Sequence, residues 1–344
     1  MWYNEIERTE TAGVFPAVAR VRETGETEEA MNTVKIKAYA KINLTLEIVG
    51  SEKGFHMLDS LVASVDLFDL IVLKKRKDKL SSITMRGLGS ETIPPEKNNA
   101  LKAAERFSEK FGVNGADITV YKNIPMGAGL GGSSADASGV LNGMAKLYNI
   151  KDETAIDELA KELGSDTKYM RKGGFARMRG KGDLVTPLPI TETLHMLALL
   201  PRTSVDTGAC YREYDAMPIK TGEENATEKV IAALTLKKVE EAGRYLTNDL
   251  FPPAARLNAD VKQAYEEVLS FSPLGAVMTG SGSCVFALFE TRELCEWAKS
   301  RYKGKCKTFV LKTVVPKIQE KRIWKNPFAL SAEEIEELER AEEK

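Results

Sequence analysis

Histidine and cysteine are scarce in this 344-residue chain, with two of the first and four of the second. Cys210, Cys284, Cys295 and Cys306 form no C-x-x-C pair and have no histidine neighbours. That excludes a zinc ribbon and a disulfide frame, and leaves four reduced thiols of the kind a cytosolic protein carries. A surplus of charge is missing too: Lys and Arg number 49, Asp and Glu 50, for a formal net charge of −1. Nucleic acid therefore has no electrostatic claim as the main partner. No apolar run approaches the ~18 residues that cross a bilayer, and the N-terminus lacks a secretory h-region. No repeat or low-complexity block stands out. What these absences leave is a cytoplasmic protein without membrane segments, long enough for two domains with cores of their own.

What is present is glycine in one place. Ile124-Pro-Met-Gly-Ala-Gly-Leu-Gly-Gly-Ser-Ser-Ala-Asp-Ala-Ser138 is a glycine-rich turn running into a helix whose buried face is marked by Ala137, Val140, Leu141, Met144 and Leu147. Ser133 and Ser134 stand where an N-cap belongs. Without side chains at Gly127, Gly129, Gly131 and Gly132, backbone N–H groups can converge on an anion, and the helix dipole adds its positive end. This is the composition of a phosphate cradle. Gly127, Gly129 and Gly132 also fit G-x-G-x-x-G, but the polar Asn149-Ile-Lys-Asp-Glu-Thr154 stands where a dinucleotide fold needs an acidic residue closing a strand. No Gly-Lys-Ser/Thr closes the turn, so a Walker loop is excluded as well. Alone, such a turn is also ordinary packing; the rest of the chain has to decide.

Periodicity orders the remainder. Residues 1–30 have no sustained period and read as a disordered or loosely attached arm, with Met31-Asn-Thr-Val34 as a natural start. Val34, Ile36, Ala38, Ala40, Ile42, Leu44, Leu46 and Ile48 alternate with Lys41, Asn43, Thr45 and Glu47, which predicts one long half-buried strand with the polar set on its non-core face. More strand follows at 61–73 and 117–121, with helices at 98–111 and 152–163 ended by Gly112 and Gly164. Short strands at 175–179 and 184–187 read as a hairpin. A second unit begins near Leu194, with strands at 195–200, 276–279, 284–289 and 307–312 and helices at 224–234, 237–245, 258–270 and 292–302. This mixed order predicts α+β. Ser331-Ala-Glu-Glu334 is a capping box opening an acidic helical tail. The expected division is 1–30, 31–190, 191–315 and 316–344.

Pro125-Met-Gly-Ala-Gly-Leu-Gly-Gly-Ser-Ser-Ala135 resembles the nucleotide-phosphate motif of the GHMP kinases, named for galactokinase, homoserine kinase, mevalonate kinase and phosphomevalonate kinase. The similarity runs from about Lys35 to about Lys312 and rests on several motifs. It implies a ribosomal-protein-S5-like N-terminal domain and a ferredoxin-like C-terminal one. It implies ATP held by Pro125, Met126, Gly127, Ala128, Gly129, Leu130, Gly131, Gly132, Ser133 and Ser134, and Mg2+ with the nucleotide, Ser134 being the candidate side chain for the metal. Ala40-Lys-Ile-Asn-Leu44 matches the family's first motif, which implies a role for Lys41 beside the acceptor hydroxyl and for Asn43 near the substrate; by itself, such a lysine would more often face solvent. Asp166 in Leu163-Gly-Ser-Asp-Thr167 matches the catalytic aspartate, although Thr167-Lys-Tyr-Met170 replaces the family's usual Val-Pro-Phe-Phe. A base within hydrogen-bond reach of a hydroxyl, beside a cation, suits proton removal.

Phe55, His56 and Tyr211 match an aromatic–histidine pair and a later aromatic that hold cytosine in one branch of these kinases, and stacking with edge hydrogen bonds is how a single base is read. Thr207 would line the same pocket. Gly280, Ser281 and Gly282, in Thr279-Gly-Ser-Gly-Ser283, match a loop that closes on the substrate's phosphates or on the glycine-rich turn. Asn248-Asp-Leu250 matches a helix-end structural element. The expectation is a kinase of a cytidine-diphosphate-linked polyol in non-mevalonate isoprenoid precursor synthesis, a monomer or homodimer. Its rivals are a GHMP kinase for homoserine, mevalonate or a sugar, a non-catalytic metabolite sensor, and an RNA-binding module.

Overall fold

Alternation does carry the chain into its first sheet, though not as one strand. The computed structural model describes residues 32–88, 94, 98–218 and 225–314; the N-terminal arm and the capping box of the acidic tail lie outside them. Strand β1 (Thr33–Asn43) and strand β2 (Thr45–Glu52) are separated at Leu44, and both pair antiparallel with the 21-residue β3 (Phe55–Lys75). The β1 register shifts between Tyr39 and Lys41. Sheet twist accumulates along so long a partner, and a bulge followed by a break lets the chain follow it. Lys53 and Gly54, with φ of 51° and 79°, make the two-residue turn that a tight hairpin needs. The polar face expected to lie off the core is buried instead: Lys41, Asn43, Thr45 and Glu47 are 6, 6, 0 and 9% exposed. Gly131 and Asp166 come down on Lys41, and Thr279, Thr227 and Ala226 on the other three.

The first sheet adds β4 (Ser82–Gly87), β5 (Ala116–Lys122), β6 (Phe175–Gly180) and β7 (Leu184–Pro187), the last two forming the expected hairpin on β3. Against it pack α1 (Asn99–Phe111), α2 (Gly132–Tyr148) and the short α4 (Thr167–Lys172), with α3 (Glu153–Leu163) packed on these helices. Asn98 caps α1 through its side chain and left-handed Gly112 ends it; Asp152 caps α3.

The second sheet has strands β8 (His195–Leu200), β10 (Gly275–Met278), β11 (Val285–Phe289) and β12 (Lys307–Lys312), in the antiparallel order β10-β11-β8-β12. With α5 (Thr207–Ala216), α6 (Ala226–Thr235), α7 (Val239–Arg244), α8 (Phe251–Leu257) and α9 (Ala259–Leu269) between β8 and β10, and α10 (Arg292–Arg301) before β12, this is a ferredoxin-like succession. The α+β expectation holds. The short β9 (Thr247–Asn248) crosses over to pair with β2 in the first sheet. Glu47 on β2 accepts the Ala226 and Thr227 N–H groups, capping α6 from a distance of nearly 180 positions. Ile42, Leu61, Val140, Met196 and Phe286 belong to one apolar cluster, so the two sheets share a core.

Candidate active site

The glycine-rich turn hangs from a buried ion cluster. Ala116, Ile118, Val120 and Lys122 alternate inward along β5, so Lys122 arrives on the core register. Its Nζ donates to Asp69 on β3 and, at 2.7 Å, to Asp136 on α2. Burial works to discharge this lysine; the two carboxylates overcome it and hold the ammonium above its ordinary range. Asp69 Oδ1 also accepts the N–H groups of Asn123 (2.6 Å) and Ile124 (2.8 Å), fixing the first residues of the turn.

Gly131, left-handed at φ 74°, is the N-cap of α2, which starts at Gly132 and has no side-chain cap. This corrects the N-cap expected at Ser133 or Ser134. Both serines lie inside the first helical turn, Ser133 accepting from Asn99 Nδ2 at 3.0 Å and Ser134 half-buried beside Gly164. A glycine cap matters because no hydroxyl competes for the helix's leading N–H groups. The first intrahelical bond found there runs from Ala135 N–H to the Gly131 carbonyl, so the preceding amides remain for a ligand. They face a cavity of about 270 Å³ bounded by Asn98, Asn99, Lys122 and the turn. Its donor set fits a nucleotide polyphosphate.

Lys41 lies against this turn: its N–H donates to the Leu130 carbonyl (3.0 Å), and a Cβ on Gly131 would stand 3.1 Å from its Cγ. Lys41 Nζ donates to Asn43 Oδ1 at 2.6 Å and lies 3.6 Å from Asp166 Oδ2. The two expected catalytic residues are therefore neighbours. Asn43 Oδ1 also accepts from Gly280 N–H (3.1 Å), and Asn43 N–H donates to Thr279 Oγ1 (3.0 Å). The Thr279–Ser283 loop thus closes on the glycine-rich turn. A Cβ at Gly129 would lie 2.0 Å from the Thr279 carbonyl oxygen. Asn248-Asp-Leu250 leads into a helix end as expected, Leu250 being the N-cap of α8 and donating its N–H to Asn248 Oδ1; Asn248 itself sits in β9 and donates to the Met278 and Gly280 carbonyls at 2.6 and 2.8 Å, holding that loop from behind.

At the start of β3, His56 stacks on Tyr211 of α5 with ring centroids 4.7 Å apart. Phe55 does not join them. It is 53% exposed, with Lys181 Nζ 3.6 Å from its ring centroid. Burial pushes the Tyr211 phenol up to about 12, so the ring stays neutral. Thr207 Oγ1 and Ser281 Oγ are 2.7 Å apart, joining α5 to the Gly280–Gly282 loop. Lys122, Asp69, Asp136 and Asp215 are the contributors that sequence reasoning passed over. Only Lys122 left a signal, a cation on the apolar register of a strand. The four cysteines are unpaired, and burial raises the thiols of Cys210, Cys284 and Cys295. Among the described residues no group of three His, Cys, Asp or Glu could hold a metal, and no helix is long and apolar enough to cross a membrane.

Comparison with known proteins gives a consistent picture. The family profile of the GHMP kinases N terminal domain matches residues 98–176, and that of the GHMP kinases C terminal matches residues 230–303. The chain is similar to 4-diphosphocytidyl-2-C-methyl-D-erythritol kinase of Caldicellulosiruptor saccharolyticus, 34% identical over 282 residues that cover 81% of this chain and 96% of the relative. The Clostridium perfringens protein of the same name is 33% identical over 278 residues, 80% and 95% of the two chains. A solved 4-(cytidine 5'-diphospho)-2C-methyl-D-erythritol kinase aligns with a TM-score of 0.68 at 29% identity, covering 81% of this chain and 98% of that one. Homoserine kinase from Cytophaga hutchinsonii, at TM-score 0.64 and 20% identity over 83% and 95% of the chains, shares the fold.

Proposed function

The chain belongs to the GHMP kinases, within the 4-diphosphocytidyl-2-C-methyl-D-erythritol kinase family, and from that membership we propose that it transfers the γ-phosphoryl group of ATP to the 2-hydroxyl of 4-diphosphocytidyl-2-C-methyl-D-erythritol. The observation that carries this reading is the Lys41–Asp166 pair, 3.6 Å apart, set against an amide cradle that no side chain caps. Phosphoryl transfer asks little covalent chemistry of a protein and much positioning. The leading N–H groups of α2 take the polyphosphate. Asp166 accepts the acceptor hydroxyl's proton, and Lys41, kept in place by Asn43, stabilises the alkoxide as it develops. Mg2+ supplies neutralisation of phosphate charge when bound; it is usually held by phosphates, waters and one or two side chains rather than a protein cage, and Ser134 at the loop–helix junction is the hydroxyl that suits it. His56 and Tyr211 serve the cytosine end, and the reaction runs in the cytoplasm.

The test is ADP release from ATP–Mg by the purified protein, alone and with the cytidylated alcohol, mevalonate or homoserine. Stimulation by the cytidylated alcohol alone is expected. Stimulation by another acceptor would move the assignment elsewhere among these kinases. Silence with every acceptor, in protein that still binds ATP, would favour a metabolite sensor. Asp166→Asn should abolish turnover and leave ATP affinity within about twofold, because it removes the base and not the cradle.

A further inference from the structure

Three side chains of α5 meet on a single imidazole. Tyr211, Tyr214 and Asp215 follow i, i+3, i+4 spacing and so share one helical face. His56 lies with its ring on Tyr211 at a 26° interplanar angle, and Tyr214 meets it edge-on with centroids 6.0 Å apart. Asp215 Oδ1 is 2.8 Å from His56 Nε2. The helix presenting this half-cage is itself anchored, with Cys210 and Tyr214 buried and Asp206 capping its first turn through the Ala209 N–H.

An ionised carboxylate can only accept, so the hydrogen in this contact belongs to Nε2. A neutral imidazole carries one hydrogen. Nδ1 is then a bare lone pair, and no hydrogen bond among the described residues uses it. We propose that Asp215 is a positioning residue for base recognition: it holds His56 as the Nε2–H tautomer, so that Nδ1 accepts from a base bearing an exocyclic amino group and rejects one bearing a carbonyl there. Cytosine offers an N–H donor at that position. Uracil offers an oxygen, whose lone pair would meet that of Nδ1. A buried or half-buried acceptor left facing another acceptor discriminates far more strongly than a lost apolar contact does. This inference rests on the cytidine-linked substrate proposed above. A surface ion pair with no further task would give the same contact without any selectivity for the base.

The test uses the full chain and exploits its two histidines, His56 and His195. In ligand-free protein labelled with nitrogen-15, the imidazole signals that persist in His195→Gln belong to His56. In wild type Nε2 should carry the hydrogen and Nδ1 should show the shift of a bare nitrogen. In Asp215→Ala both signals should move to intermediate positions as the tautomers exchange. The ratio of kcat/KM for the cytidine-linked over the uridine-linked polyol should fall about tenfold in Asp215→Ala, the scale of one charge-assisted hydrogen bond. The loss should lie in KM, with kcat at saturation held, and Asp215→Glu should restore part of the ratio. An Nδ1–H ring in wild type, or an unchanged ratio in Asp215→Ala, would overturn the proposal. Wild-type protein inert toward the cytidine-linked polyol would remove the functional reading and the base selection together. The tautomer spectrum needs no substrate, so that failure is distinguishable from a wrong role for Asp215.

Discussion

A methyl group at position 129 has nowhere to go. Its carbon would stand 2.0 Å from the Thr279 carbonyl oxygen, and the backbone there has φ of 75°. Gly129→Ala should therefore cost ~2 kcal/mol or more in stability, from left-handed strain and backbone clash together. It should also weaken ATP binding, because the turn can relax only by moving its amides; urea denaturation and nucleotide titration would check the two effects. Glycines of this kind are legible in a sequence because close backbone approach leaves a mark in residue type. The surroundings of Lys41 and Asn43 were not legible in the same way. Alternation showed correctly that they share a face, but what covers it comes from Gly131 and Asp166 over Lys41 and from Thr279 and Gly280 over Asn43, all far along the chain. Asp215 was invisible for a similar reason: its partner His56 is 159 positions away.

At the scale of single elements, β5 and α2 are tied together by a charge cluster rather than by apolar contact alone. Lys122 is 3% exposed and Asp136 4%, while Asp69 is wholly buried. Lys122→Met would leave two carboxylates in the core without a cation, and removing one partner of such a cluster typically costs ~3–5 kcal/mol. Loss of cooperative folding or a large drop in the denaturation midpoint is the expected result, and an unchanged midpoint would show that the carboxylates find another partner. Burial drives the Asp136 carboxyl well above the usual carboxylate range, which offers the variant one route to partial neutrality. Long elements with clear caps, such as α1 and α3, were readable to within a residue. The missed elements, β4, β9, α4, α5 and α8, are short or lack a sustained apolar period, and tertiary contacts decide them. The helix start at Gly131 was misplaced because serine is the commoner cap, whereas a turn that must keep its amides free needs a residue with no side chain.

At the scale of the whole molecule, Thr279 is the hinge pin between the two sheets. Its hydroxyl accepts the Asn43 N–H at 3.0 Å and reaches the Gly129 carbonyl at 3.3 Å. Thr279→Val keeps the shape and removes both bonds, leaving a buried N–H unpaired at a cost of ~1–3 kcal/mol. On the proposed function the same residue aligns the acceptor side with the nucleotide side, so KM should rise for both substrates in steady-state assays; a rise for one alone would show that the sheets are held independently. The two-unit α+β organisation could be read from element order. The crossing of β9 into the first sheet could not, since a two-residue strand has no period of its own. One consequence concerns the life of the protein before it is finished. Asn43 and Thr279 are 236 positions apart, so a ribosome that has already released the glycine-rich turn still holds back the loop that completes it. Until that loop emerges, the nascent chain carries Asn43 and Gly129 without the backbone that closes on them.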